Sequence, residues 1–130
     1  MRRTLFSFIA IALFSLQLSA MPLVFKSAAV KVESASETNP SHLATIDTTK
    51  LSKIRIYALL ETTTPVKEKG LSAWSHIAVK AVEGTDLLYF GKVSILNEAR
   101  HGSLVVDAVP AKISLFAENP GTYRIYVWGE

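Results

Sequence analysis

Apolar residues recur along most of this chain with a period of two, and helical spacing is scarce. Between residues 53 and 61, Ile54, Ile56, Ala58 and Leu60 point one way while Lys53, Arg55, Tyr57 and Glu61 point the other. Only Leu59 interrupts the polar side. Alternation of this kind describes a half-buried strand with one face on a core and one in water. Near the C-terminus, Ile113, Leu115 and Ala117 share a face, and so do Tyr123, Ile125 and Val127. Asn119-Pro120-Gly121 divides them. Proline presets a turn φ, and glycine supplies the positive φ that a tight turn often needs. Similar runs rich in Val, Ile, Leu and Tyr predict strands at 28–33, 44–47, 53–60, 75–82, 87–95, 103–109, 112–117 and 122–128. Residues 61–70 form the longest loop, and 97–102 at most one helical turn.

Two pairings follow from the pattern. Setting Glu118 opposite Thr122 across a three-residue loop places Leu115 opposite Ile125 and Ile113 opposite Val127. A slip of one residue mixes the two faces. In that hairpin Arg124, Tyr126 and Trp128 face outward, with Phe116 opposite Arg124, Ser114 opposite Tyr126 and Lys112 opposite Trp128. The second pairing joins 75–82 to 87–95 through Glu83–Asp86, with Val79 opposite Phe90 and Lys80 opposite Tyr89. Trp74, His76 and Lys80 alternate and suit a second outward face with Ile77, Val79 and Ala81 inward, but this pairing leaves the core face open. Trp74 reads as a core or edge tryptophan, since Trp is highly buried on average.

About eight short strands predict an all-β fold, a β-sandwich of two antiparallel sheets. A jelly-roll arrangement (galactose-binding-like) is favoured over an immunoglobulin-like one. The layout from Trp74 to Trp128 does not match the Cys…Trp…Cys spacing of immunoglobulin domains.

The start of the chain changes the picture of its charge. Arg2 and Arg3 precede an apolar run from Leu5 to Leu18, followed by Ser19 and Ala20. A basic start, a short apolar stretch and a small residue at the exit read as a signal peptide over 1–20, cut near Ala20 and leaving one domain over 21–130. Leu18 is large for its place before that cut. A cut after Ala29 and an uncleaved anchor are the alternatives. Without the leader the net charge falls from +3 to about +1. The remaining cations are mixed with acids, which argues against nucleic acid as a partner. No second apolar run long enough for a membrane span remains. There is no cysteine, so an exported, secreted or periplasmic chain of about 110 residues holds its fold by its core alone.

Candidate chemistry is sparse. His42, His76 and His101 form no local metal pair, and phosphate-loop, dinucleotide, EF-hand and nucleophile-elbow patterns are missing. No cofactor and no metal is expected. The sharpest constellation is the outward row Arg124, Tyr126 and Trp128, with Lys112 and Phe116 as its cross-strand neighbours. Rings and cations of this kind suit sugar rings and also dominate protein hot spots. The same residues serve a sheet that binds nothing, since aromatic cross-strand pairs stabilise strands. The expected function is a non-catalytic binding module for a carbohydrate or another exported protein. The second reading is a structural or assembly subunit, a homo-oligomer joined through an edge strand such as the last one. The third is a small hydrolase built on His76 or His101 with an aspartate.

Overall fold

The computed structural model describes residues 21–63 and 74–130. The expected leader and most of the 61–70 loop lie outside them. The described residues form nine strands and no helix: β1 Leu23–Lys26, β2 Val30–Val32, β3 Ser41–Asp47, β4 Ile54–Thr63, β5 Trp74–Glu83, β6 Asp86–Leu96, β7 His101–Val106, β8 Lys112–Ala117 and β9 Gly121–Gly129. All eight expected strands are present, with ends shifted by a few residues. The extra strand is β1, where Leu23-Val24-Phe25-Lys26 shows no alternation to announce it.

Two antiparallel sheets pack face to face. The first has the order β1-β9-β4-β7, with β2 also on β9; the second has the order β3-β8-β5-β6. Their inner faces bury Ile54, Ile56, Ala58, Leu60, Tyr123, Ile125 and Val127 on one side and Ile77, Val79, Val93, Ile95, Ile113, Leu115 and Ala117 on the other. Every inward position expected on β4, β8 and β9 is buried, and on β5, whose face the pattern left open, Ile77, Val79 and Ala81 are buried. No buried side-chain polar atom among the described residues lacks a partner, as a dry interior requires.

The C-terminal hairpin does not form. β8 pairs with β3 and β5, whereas β9 pairs with β1, β2 and β4. Residues 118–120 therefore carry the chain from one sheet to the other. Asn119 ties this crossover down. Its Oδ1 accepts from the His76 backbone N–H at 2.9 Å, and its backbone carbonyl accepts from the Tyr123 hydroxyl at 2.7 Å. Gly121 opens β9 at φ 153°, a region that favours glycine. Leu115 and Ile125 both point inward as expected, but from opposite sheets. For the same reason β9 is an interior strand with both edges occupied, not the edge strand of the assembly reading.

The β5–β6 hairpin is real but shifted. Glu83 pairs with Asp86, so the loop is Gly84-Thr85. Gly84 has φ 61°, as the first position of a type II′ turn demands. Lys80 lies opposite Tyr89 as expected, while Val79 meets Gly91 and leaves Phe90 as the extra residue of a bulge. Trp74 is 51% exposed, so of the core and edge positions expected for it the core one does not hold. It begins β5 on the outer face and pairs only with Leu96. After β6, Ala99 and Arg100 both donate backbone N–H bonds to the Leu96 carbonyl. This is the single helical turn expected there, and Arg100 closes it at φ 65°.

Candidate functional site

The two sheets turn outward faces of different chemistry to solvent. On the first sheet, register sets the rows. β9 places Trp128 opposite Arg55, Tyr126 opposite Tyr57 and Arg124 opposite Leu59 on β4. β7 adds Val105, Ser103 and His101 opposite those same β4 residues. β1 adds Leu23 beside Trp128 and Lys26 beside Tyr126. Side chains on adjacent strands stand close enough to touch, so outward rings on three neighbouring strands form one cluster.

Tyr57 is its centre. Its ring lies 5.9 Å from that of His101, 6.1 Å from Tyr126 and 6.3 Å from Trp128, centroid to centroid. Tyr126 and Trp128 stack on each other at 6.1 Å with an interplanar angle of 21°. The Lys26 Nζ sits 5.9 Å from the centre of the Tyr126 ring. Tyr57, Tyr126 and Trp128 are half-buried against one another and His101 is exposed. Beside them a recess of about 280 Å³ is lined by Met21, Arg55, Tyr57 and Trp128.

The cations on this face differ in engagement. Arg124 donates through Nε to the Glu61 carboxylate, and that contact raises the Arg124 pKa above its ordinary value. Glu61, on the outward side of β4, is the extra residue of a bulge between Leu60 and Thr62. Arg100 Nη1 donates to the Glu61 carbonyl at 2.7 Å. Among the described residues, neither Arg55 nor Lys26 forms an ion pair with a carboxylate.

The outer face of the second sheet uses up its own polar groups. Thr45 Oγ1 and Ser114 Oγ are 2.7 Å apart, and His42 Nε2 meets Thr45 Oγ1 at 2.8 Å. The His42 ring is edge-on to Phe116 at 5.4 Å, and the Lys80 Nζ stands 4.8 Å from the centre of the Phe116 ring. His76 Nδ1 is 3.1 Å from Ser94 Oγ. The Lys92 Nζ is 2.7 Å from the buried Glu118 carboxylate, whose contact raises the Lys92 pKa.

Of the five expected site residues, Arg124, Tyr126 and Trp128 point outward together on the first sheet. Phe116 and Lys112 do not join them. They lie on the outer face of the second sheet, where Phe116 pairs with His42 and Ala78 and Lys112 with Asp47. The true neighbours of the row are Arg55, Tyr57 and Leu59. The alternation of 53–61 already turned Arg55 and Tyr57 outward; what it lacked was the identity of the adjacent strand. The histidines are divided between the faces, His42 and His76 on one and His101 on the other. Among the described residues no three His, Asp or Glu side chains converge as metal ligands. No family model, curated protein or solved structure matches the chain.

Proposed function

We propose that this protein is an exported, non-catalytic binding module that takes an acidic carbohydrate on the outer face of its first sheet. The observation that carries this reading is the cluster of Tyr57, His101, Tyr126 and Trp128, with Arg55 and Lys26 beside it and no carboxylate partner for either cation among the described residues. Sugar rings offer apolar C–H faces to aromatic side chains, and a sugar carboxylate or sulfate offers paired anionic oxygen acceptors to a guanidinium. Rings that already hold one another in place lose little side-chain freedom on binding. The strand order supports the jelly-roll form of the sandwich. With β1 and β2 counted as one interrupted strand, the sheets become 1-8-3-6 and 2-7-4-5, two interlocked Greek keys. The leader reading supports export to the periplasm or exterior. Its cut after Ala20 is favoured over one after Ala29, which would strip β1 from the edge of β9 beside Trp128.

The test is a screen of the purified protein against acidic and neutral polysaccharides, followed by calorimetric titration. Acidic polymers should bind and neutral ones should not. Trp128→Ala and Arg55→Gln should each weaken binding at least about tenfold, the size of a modest hot spot. Their melting temperatures should stay within a few degrees of the parent. Recovery of an exported protein with no glycan binding would move the face to the protein-partner class. Unfolding of Tyr126→Ala and Trp128→Ala would make the cluster purely structural. A second reading, assembly through an edge strand, is favoured by one separate feature, the free edge of β6.

A further inference from the structure

β6 is the outermost strand of the second sheet, and its two halves are guarded differently. Along the second half, β7 lies against it so closely that a Cβ at Gly102 would fall 2.2 Å from the Ser94 carbonyl oxygen. Among the described residues the first half has no such cover. Leu87 is 46% exposed, Leu88 54%, Tyr89 64% and Phe90 40%. These four consecutive residues lie in an extended strand with one hydrogen-bonding edge unoccupied among the described residues. β8 pairs with β5 only as far as Ala81, so the hairpin tip reaches past it. Edge strands in monomers are normally protected by lysine, proline or an inward charge. The other long edge of this sheet, β3, alternates His42, Thr45 and Asp47 on its exposed side. Nothing of that kind stands between Leu87 and Phe90.

We infer that Leu87–Phe90 is a dimerisation strand, and that its occupant is the same strand of a second copy, run antiparallel about a twofold axis at Leu88. Face parity selects this register. Leu87 and Tyr89 lie opposite Val82 and Lys80 on the outward side of β5, whereas Leu88 lies opposite Ala81 on the inward side. A twofold through Leu88 keeps the faces matched. Leu87 meets the partner's Tyr89 on one face, and Leu88 meets the partner's Leu88 on the other. Charge selects the direction. The hairpin tip carries Glu83 and Asp86. Antiparallel pairing keeps the two acidic tips apart and sets each Asp86 opposite Phe90 of the other copy. Parallel pairing would set Asp86 against the partner's Asp86, and like charges directly opposite destabilise a sheet. Four side chains a copy fall short of the area of a standard interface, so the dimer is weak and concentration-dependent.

This inference is independent of what the first sheet binds. The absence of cysteine from the chain allows a direct test. A twofold at Leu88 sets the two Cα atoms of that residue about 4.5–5.5 Å apart, within disulfide range. Under mild oxidation, Leu88→Cys should therefore cross-link to a covalent dimer at least about tenfold faster than Glu98→Cys, a surface control away from this edge. Sedimentation equilibrium of the parent should show a reversible monomer–dimer equilibrium, and Leu88→Lys should stay monomeric with an unchanged melting temperature. A parent that remains monomeric over a roughly hundredfold concentration range, with equal cross-linking rates for the two cysteine variants, would overturn the proposal. So would open-ended polymers, which a closed twofold forbids.

Discussion

The two outer faces are made of similar residues and end in opposite conditions. Each carries aromatic rings, a histidine and several cations. On the second sheet these groups satisfy one another: Lys80 sits over Phe116, His42 reaches Thr45, and Lys92 is bound to Glu118. On the first sheet the rings gather around Tyr57; of the cations beside them, Arg124 is held by Glu61, while Arg55 and Lys26 pair with no carboxylate among the described residues. A count of aromatic and basic residues therefore says little about binding. What matters is whether the neighbouring strand supplies an acceptor. β3, β6 and β8 bring hydroxyls and the crossover after β8 brings Glu118 to one face, while β4 and β7 bring more rings and an arginine to the other.

The largest blow to this comparison is to remove the floor on which both faces stand. Ile125 is fully buried between Arg124 and Tyr126. Ile125→Ala should cost about 2–5 kcal/mol through lost burial and a residual cavity, read as a drop in the urea midpoint, and should abolish glycan binding only by unfolding the protein. Next is the joint that sends the two rows to opposite faces. Burial pushes the Tyr123 phenol up to about 12, so the folded state holds its proton where an unfolded tyrosine has released it. Stability from this group is complete below about pH 10 and is lost as pH rises toward 12. Tyr123→Phe should cost about 1–3 kcal/mol by leaving the Asn119 carbonyl without its partner, and should flatten that alkaline loss in pH-dependent denaturation.

A smaller pair of changes separates the faces directly. Phe116→Ala should lower stability by about 1 kcal/mol through its lost ring and cation contacts and leave glycan affinity unchanged. Tyr57→Ala should reduce affinity at least about tenfold in the same titration. Equal effects of both on binding would erase the distinction. The smallest change sharpens it. Glu61→Gln should leave the melting temperature almost unmoved, since exposed ion pairs contribute little. By releasing Arg124 to the ligand it should raise affinity for an acidic polymer about two- to threefold.

Much of this was legible along the chain, and the part that was not has one cause. Alternation assigns Ile113 and Leu115, or Tyr123 and Ile125, to a buried face with confidence because burial acts on each strand separately. It is blind to what lies alongside. A hairpin and a crossover between packed sheets both bury the same alternate residues, so Asn119-Pro120-Gly121 suited either. That ambiguity placed Lys112 and Phe116 beside Trp128 and Arg124 and left Arg55 and Tyr57 unconnected to them. The exposure of Trp74 and of the run from Leu87 to Phe90 was not legible for a related reason. Apolar side chains imply burial only where another element arrives to cover them.

The sequence by itself determined eight of the nine described strands, the inward residues of β4, β8 and β9, and the outward row of Arg124, Tyr126 and Trp128. These are local properties, set by side-chain periodicity and backbone sterics. Only the tertiary structure decided which strand lies beside which, and so that Tyr57 and His101 complete the row, that Glu61 occupies Arg124, and that β6 rather than β9 ends at an open edge. Strand neighbours are chosen by the packing of two whole sheets around one interior, a condition that no single stretch of sequence contains.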